Sequence, residues 1–216
     1  MKLYVVSGLG ADFKVLERLD FGEENEVHFL DWKIPKKNEA FEHYVSRMAE
    51  PVDSSEPFNL LGYSFGGIVV QEICKLKPAE KVVILGSIRS DKEKSKLIKV
   101  GEITKIPRIL PSGIFNEKST LAYSFLRKLF DPKNPRLMQY FTVRDPYYLK
   151  WSIEKISEWK FHEMPNIIQI MGDKDIVFPI KNSHPDYVIK GGTHLFPATK
   201  SKEVSKILQK VLSSSK

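Results

Sequence analysis

With 216 residues, 42% of them hydrophobic, the chain can bury a good core in one compact α/β domain and has no compositional need of a second. Its formal net charge of +7 is spread over scattered lysines, with no zinc-ligand spacing and no mixed aromatic and basic RNA-binding motif, so nucleic acid is excluded as the expected partner. One cysteine excludes an internal disulfide framework, and no run nears the ~18 apolar residues of a membrane span; a soluble, cytoplasmic protein without a membrane partner is expected.

In chain order, Lys2 to Val6 is the first of six short runs rich in Val, Ile, Leu, Phe and Tyr that read as strands. The loop SGLGADF follows, then a helical pattern at Phe13, Leu16 and Leu19. Glu26 to Leu30 is the second strand, and Phe41, Tyr44, Val45 and Met48 mark the next helix. Phe58 to Leu61 is the third strand. It runs into GYSFGG and a helix over Ile68 to Leu76, where Cys74 reads as a small core residue and not a nucleophile. Lys81 to Leu85 is the fourth strand. The densest basic run comes next, Arg89 to Arg108, interrupted by Asp91, Glu93 and Glu102; it reads as a solvated surface, or as a preference for anionic substrates. Ile167 to Met171 and Asp186 to Ile189 complete the strands, and Val204, Ile207, Leu208 and Val211 line a closing helix.

Nearly continuous apolar strands suit a sheet covered on both faces, and their alternation with helices implies right-handed crossovers. The predicted fold class is therefore α/β: a doubly wound, six-stranded, mostly parallel sheet. The alternation breaks once. Residues 87–165 hold helix-like patterns, including Ser119 to Phe130 and Tyr147 to Trp159, and no convincing strand, so they read as a helical cap inserted into a core of residues 1–86 and 166–216. An insertion there would lie over the carboxyl ends of the strands, where open α/β folds bind ligands. Its aromatic residues, from Phe115, Tyr123 and Phe125 to Tyr148 and Trp151, either line an acyl pocket or pack the cap onto its base.

Gly62-Tyr63-Ser64-Phe65-Gly66 matches G-x-S-x-G between a strand and a helix, the context in which that motif has a mechanical meaning. Small neighbours two residues away let strand and helix approach, so that Ser64 is strained and exposed, and the N–H of Phe65 can meet an oxyanion at the helix N-terminus. A serine hydroxyl needs a base, and the base a carboxylate. GDKDIVFPI after the fifth strand offers Asp173 and Asp175, of which Asp175 lies farther into the loop and can reach back. KGGTHLFP after the sixth offers His194, behind Gly191 and Gly192. His28, His43, His162 and His184 read as structural or surface residues. A second oxyanion donor would be the Leu9 N–H, in the loop after the first strand, which requires strands one and three to be neighbours with strand two outside.

Through SGLG, GYSFGG, GDKDIVFP and GGTH, in that order, the chain resembles a small member of the α/β-hydrolase superfamily over nearly its whole length. The resemblance implies a catalytic Ser64, Asp175 and His194, an oxyanion hole at Leu9 and Phe65, an inserted cap, a small-molecule acyl substrate, and no cofactor or metal. Two features depart from the pattern. Ser7 precedes Gly8 where members commonly have a His-Gly pair, and the usual antiparallel strand pair is missing before Lys2, leaving an edge that a second subunit could cover as a homodimer. The expected activity is hydrolysis of a small carboxylic ester or thioester. Carbon-carbon bond hydrolysis or a lyase reaction on the same residues, and a non-catalytic ligand-binding module of the same fold, are the alternatives.

Overall fold

The structure, a computed structural model, describes residues 1–105, 109, 111, 137–160, 164 and 166–213. The expected helix at Ser119 to Phe130, together with Phe115, Tyr123, Phe125 and His162, lies outside them.

Six strands are present: β1 (Lys2–Val6), β2 (Glu26–Phe29), β3 (Phe58–Tyr63), β4 (Lys81–Leu85), β5 (Ile167–Gly172) and β6 (Tyr187–Ile189). They form one sheet in the order β2-β1-β3-β4-β5-β6, and every neighbouring pair is parallel. The expected adjacency of the first and third strands is therefore present, with β2 outside them. Chain order reverses between β1 and β3, which makes their carboxyl ends the switch point where crevices form in such sheets. Val6 stands opposite Gly62 in the register, so the loops leaving β1 and β3 start side by side.

The apolar runs are continuous because successive side chains alternate between two cores. Tyr4, Val6, Leu60, Val82 and Ile84 pack with α1 (Phe41–Ala49) and α2 (Phe65–Leu76) on one face. Leu3, Val5, Leu61, Val83 and Leu85 pack on the other with Val204, Leu208 and Val211 of α6 (Ser201–Leu212). The spacing of those α6 residues, i, i+4 and i+7, gives the helix one apolar stripe. By contrast α2 is buried along most of its length, from Phe65 through Val70 and at Ile73.

Between β4 and β5, the described residues contain α3 (Lys96–Thr104) and α4 (Pro146–Glu158) and no strand beyond an isolated bridge of Phe141 to Ala11. The Asp145 carboxylate caps α4 by accepting from Tyr148 N at 2.8 Å, and Pro146 at the first helical position has no N–H to leave unsatisfied. Tyr148, Leu149 and Trp151 of α4 join the first core, and Trp151 Nε1 donates to Glu39 O in the loop before α1. A short α5 (Phe196–Thr199) precedes α6. No helix of the described residues is long and apolar enough to cross a membrane.

One expected helix is replaced. Phe13, Leu16 and Leu19 do not form an α-helix; only a single 3-10 turn, Phe13–Val15, exists there, capped by Asp12. Val15, Leu16 and Leu19 are nevertheless buried, whereas Phe13 is exposed. Asp20 then accepts from Gly22 N, and Gly22 at φ +86° redirects the chain toward β2. The apolar spacing was met by tight turns that leave no length for a helix.

Candidate active site

Ser64 is the single residue between the end of β3 and the start of α2, at φ 54° and ψ −119°. This left-handed backbone costs a non-glycine residue about 1–3 kcal/mol. The neighbouring glycines make the turn possible. A Cβ on Gly62 would lie 2.3 Å from Gly66 O, and one on Gly66 would lie 2.3 Å from both Val6 O and Ser7 O. The first glycine lets strand and helix close on each other; the second lets the helix sit against β1. Leu85 O on β4 accepts from Ser64 N at 2.9 Å, which anchors the turn to the neighbouring strand.

The structure brings Ser64, His194 and Asp175 into one hydrogen-bonded chain. Ser64 Oγ and His194 Nε2 are 2.9 Å apart, and His194 Nδ1 and Asp175 Oδ2 are 2.7 Å apart. A carboxylate only accepts, so Nδ1 carries the proton and Nε2 is left to accept from the serine hydroxyl. Asp175 Oδ1 accepts from Val177 N at 2.8 Å and Phe178 N at 3.0 Å, which holds the carboxylate in the orientation the imidazole needs. Asp173 lies elsewhere: its Oδ1 accepts from Gly191 N at 2.6 Å and closes the loop after β6 onto the loop after β5. His28 stacks on Tyr4 within the sheet, His43 lies on α1 and His184 in the loop before β6, all away from Ser64.

Sequence reasoning missed Tyr63. Its hydroxyl donates to His194 O at 3.0 Å with both residues buried, and burial pushes the phenol well above its ordinary pKa, so it remains a donor. It is the variable residue of G-x-S, and its signal was only that a large polar-tipped side chain faces a sheet core.

The expectation of an exposed Ser64 is corrected. Ser64 and Asp175 are each 4% exposed and His194 is 0% exposed. The elbow lifts the serine out of the strand, but the His194 ring and the loop after β1 close over it; a Cβ on Gly8 would lie only 3.4 Å from Ser64 Cβ.

That loop is held where a His-Gly pair was the usual expectation. Ser7 Oγ donates to Ala11 O and accepts from Trp32 Nε1 at 3.1 Å, and Gly10 N donates to Tyr148 Oη at 3.4 Å from α4. Neither Trp32 nor Tyr148 was predicted to serve the loop. Trp32 could have been suspected from its place just past β2, at the same sheet edge as the other site residues. Phe65 is the first residue of α2, so its N–H has no intrahelical acceptor. Among the described residues, no backbone or side-chain acceptor takes the Leu9 N–H. No group of three or more His, Cys, Asp and Glu side chains among the described residues is placed to hold a metal ion.

No protein-family model and no curated protein sequence matches the chain. Solved structures do. A lipase-esterase related protein from Clostridium acetobutylicum is similar at a TM-score of 0.66 and 18% identity, over 97% of this chain and 93% of that one. A thermophilic esterase from Thermogutta terrifontis gives 0.70 and 12%, over 99% and 91%. The thioesterase RedJ of the prodiginine pathway in Streptomyces coelicolor gives 0.64 and 15%, over 98% and 90%. The chain has the α/β-hydrolase fold, in a version with six strands, all parallel.

Proposed function

We propose that the protein is a serine hydrolase that cleaves a small carboxylic ester or thioester through an acyl-enzyme. The observation that carries this reading is the chain Ser64 Oγ to His194 Nε2, His194 Nδ1 to Asp175 Oδ2, at hydrogen-bond distances throughout. Ser64 Oγ attacks the acyl carbonyl as His194 takes its proton. Asp175 fixes the tautomer and stabilises the imidazolium that forms. The oxyanion accepts from the N–H groups of Leu9 and Phe65. His194 then gives that proton to the departing alkoxide or thiolate, and, neutral again, takes a proton from the water that attacks the acyl-enzyme and passes it to Ser64 Oγ as the acid leaves.

The solved structures described above are a lipase-esterase related protein, an esterase and a thioesterase, which supports an ester or thioester substrate. Residues 87–165 act as the cap in this reading; its support is α4, whose Tyr148 meets the loop after β1. The lone buried thiol of Cys74 is consistent with a reducing, cytoplasmic setting.

The test is labelling by a fluorophosphonate probe, with the adduct located by mass spectrometry, followed by an ester and thioester chain-length series. Labelling should fall on Ser64 and vanish in Ser64→Ala and His194→Ala, with hydrolysis reduced at least ~10³-fold in both. Folded wild-type protein that neither labels nor hydrolyses any member of the series would overturn the reading in favour of a binding module.

A further inference from the structure

The carbonyl of Gly8 and the N–H of Leu9 belong to one peptide unit. All peptide bonds among the described residues are trans, so the two groups point in opposite directions from a rigid plane. Whatever holds the Gly8 oxygen therefore aims the Leu9 N–H. Two donors hold it: Ala11 N at 3.0 Å, within the loop, and Trp32 Nε1 at 3.0 Å, from beyond β2. The same indole N–H lies 3.1 Å from Ser7 Oγ, so Trp32 grips the loop at two successive residues. Its ring also stacks on that of Phe65, with centroids 5.2 Å apart and planes 9° from parallel. One side chain thus contacts Gly8, whose carbonyl shares a peptide unit with the Leu9 N–H, and the ring of Phe65 at the start of α2, so it bears on both candidate oxyanion donors.

We propose that Trp32 is a positioning residue for the oxyanion hole: it orients the Leu9 N–H through the Gly8 carbonyl and holds that loop in register with Phe65. The proposal rests on the serine-hydrolase reading. It makes the Trp32 contribution specific to states that carry charge on the carbonyl oxygen, because ground-state substrate makes little demand on the direction of the donor. Donation to a peptide carbonyl also polarises that peptide, which strengthens its N–H as a donor.

The experiment removes the indole N–H while keeping the ring. Trp32→Phe does so at some cost in size; Trp32→benzothienylalanine, with sulfur in place of the N–H, keeps the shape and guards against a packing defect. For wild type and both variants, the measurements are Ser64 phosphonylation, kcat and KM on a p-nitrophenyl ester, Ki for an alkylboronic acid, and melting temperature. The boronic acid forms a tetrahedral anionic adduct on a reactive serine and so reads the oxyanion hole directly. The expected result is a kcat roughly 3- to 10-fold lower with KM nearly unchanged, and a boronate Ki raised by the same factor. An active wild type with variants unchanged in kcat, or with kcat lowered while the boronate Ki stays at the wild-type value, overturns the role of Trp32 alone. A wild type that is neither phosphonylated on Ser64 nor active overturns the underlying reading, and the proposal with it.

Discussion

On the β3 side of the site, Ser64 is positioned by what is missing: glycines at 62 and 66 let the turn, the helix and β1 approach to distances that any Cβ would forbid. On the β5 and β6 side, His194 and Asp175 are positioned by what is present. Tyr63 donates to His194 O across 131 residues of chain, Val177 and Phe178 donate to Asp175, and Asp173 ties one loop to the other. The first side is specified sterically within a short segment and the second by hydrogen bonds between distant segments. A steric device fails as a whole when an atom is added, whereas a hydrogen-bonded one loses function in steps as its members are removed.

The largest expected effect tests that stepwise construction. Asp175→Asn keeps the shape but offers Nδ1 an amide, and kcat/KM for ester hydrolysis should fall about 10³- to 10⁴-fold. Asp173→Asn, which touches the loop and not the imidazole, should stay within about 10-fold, because the amide oxygen can still accept from Gly191 N and only the charge assistance of that bond is removed. Equal losses in the two variants would break the distinction between the carboxylates.

Adding an atom to the steric side comes next. Gly66→Ala drives a methyl into the carbonyl oxygens of Val6 and Ser7, which are backbone atoms and cannot rotate away. We expect about 3 kcal/mol of destabilisation by urea denaturation. Near wild-type stability would mean that α2 shifts freely on β1 and that the glycine is dispensable.

Tyr63→Phe joins the two sides, since Tyr63 belongs to the elbow and holds the histidine. It removes the Tyr63 hydroxyl that donates to buried His194 O, so a loss of about 1 kcal/mol in unfolding free energy and a several-fold fall in kcat are expected. A fall in stability alone would separate the folding role of this bond from a role in aiming the imidazole.

A smaller effect measures the strain at the elbow. Ser64→Ala and Ser64→Gly both remove the hydroxyl, but only glycine relieves φ 54°, so Ser64→Gly should be the more stable of the two by about 1–2 kcal/mol in denaturant titrations.

The smallest comes from outside both sides. Glu39 accepts from Arg47 Nε at 2.8 Å and Nη2 at 2.6 Å, and this pairing holds its carboxyl below the ordinary value of 4.5. In the unfolded chain Glu39 takes up its proton first. The pair therefore stabilises the fold fully above pH 4.5, and that contribution is lost as pH falls through the lowered folded pKa. Glu39→Gln should flatten the acid limb of the stability profile by about 1 kcal/mol or less; an unchanged limb would show the pair to be screened by solvent.

Much of this candidate site could be read along the chain because each candidate residue sits just past a strand. In a parallel sheet all strand ends of one kind share an edge, so SGLG, GYSFG, GDKD and GGTH had to converge once the strands were placed. Asp175 was preferred to Asp173 as the candidate acid for a similar reason, since two further residues of loop give reach, and it is Asp175 whose Oδ2 lies 2.7 Å from His194 Nδ1. The expected helix over Phe13 to Leu19 is absent because i, i+3 apolar spacing is also satisfied by consecutive turns, and the turn residues Asp20 and Gly22 close the segment before a helix can extend.

By itself, then, the sequence determined the order of the strands along the chain, the two-faced burial of the sheet, the glycine-flanked elbow and the identity of the serine, acid and base candidates. These depend on local periodicity and on which residues lack a side chain. Only the tertiary structure decided that Ser64 is buried, that Ser7 and Trp32 hold the loop after β1, and that Tyr63 supports His194. Each of those depends on distances between residues far apart in the chain, and hydrogen-bond partners at such separations are set by how the layers pack, which no local pattern encodes.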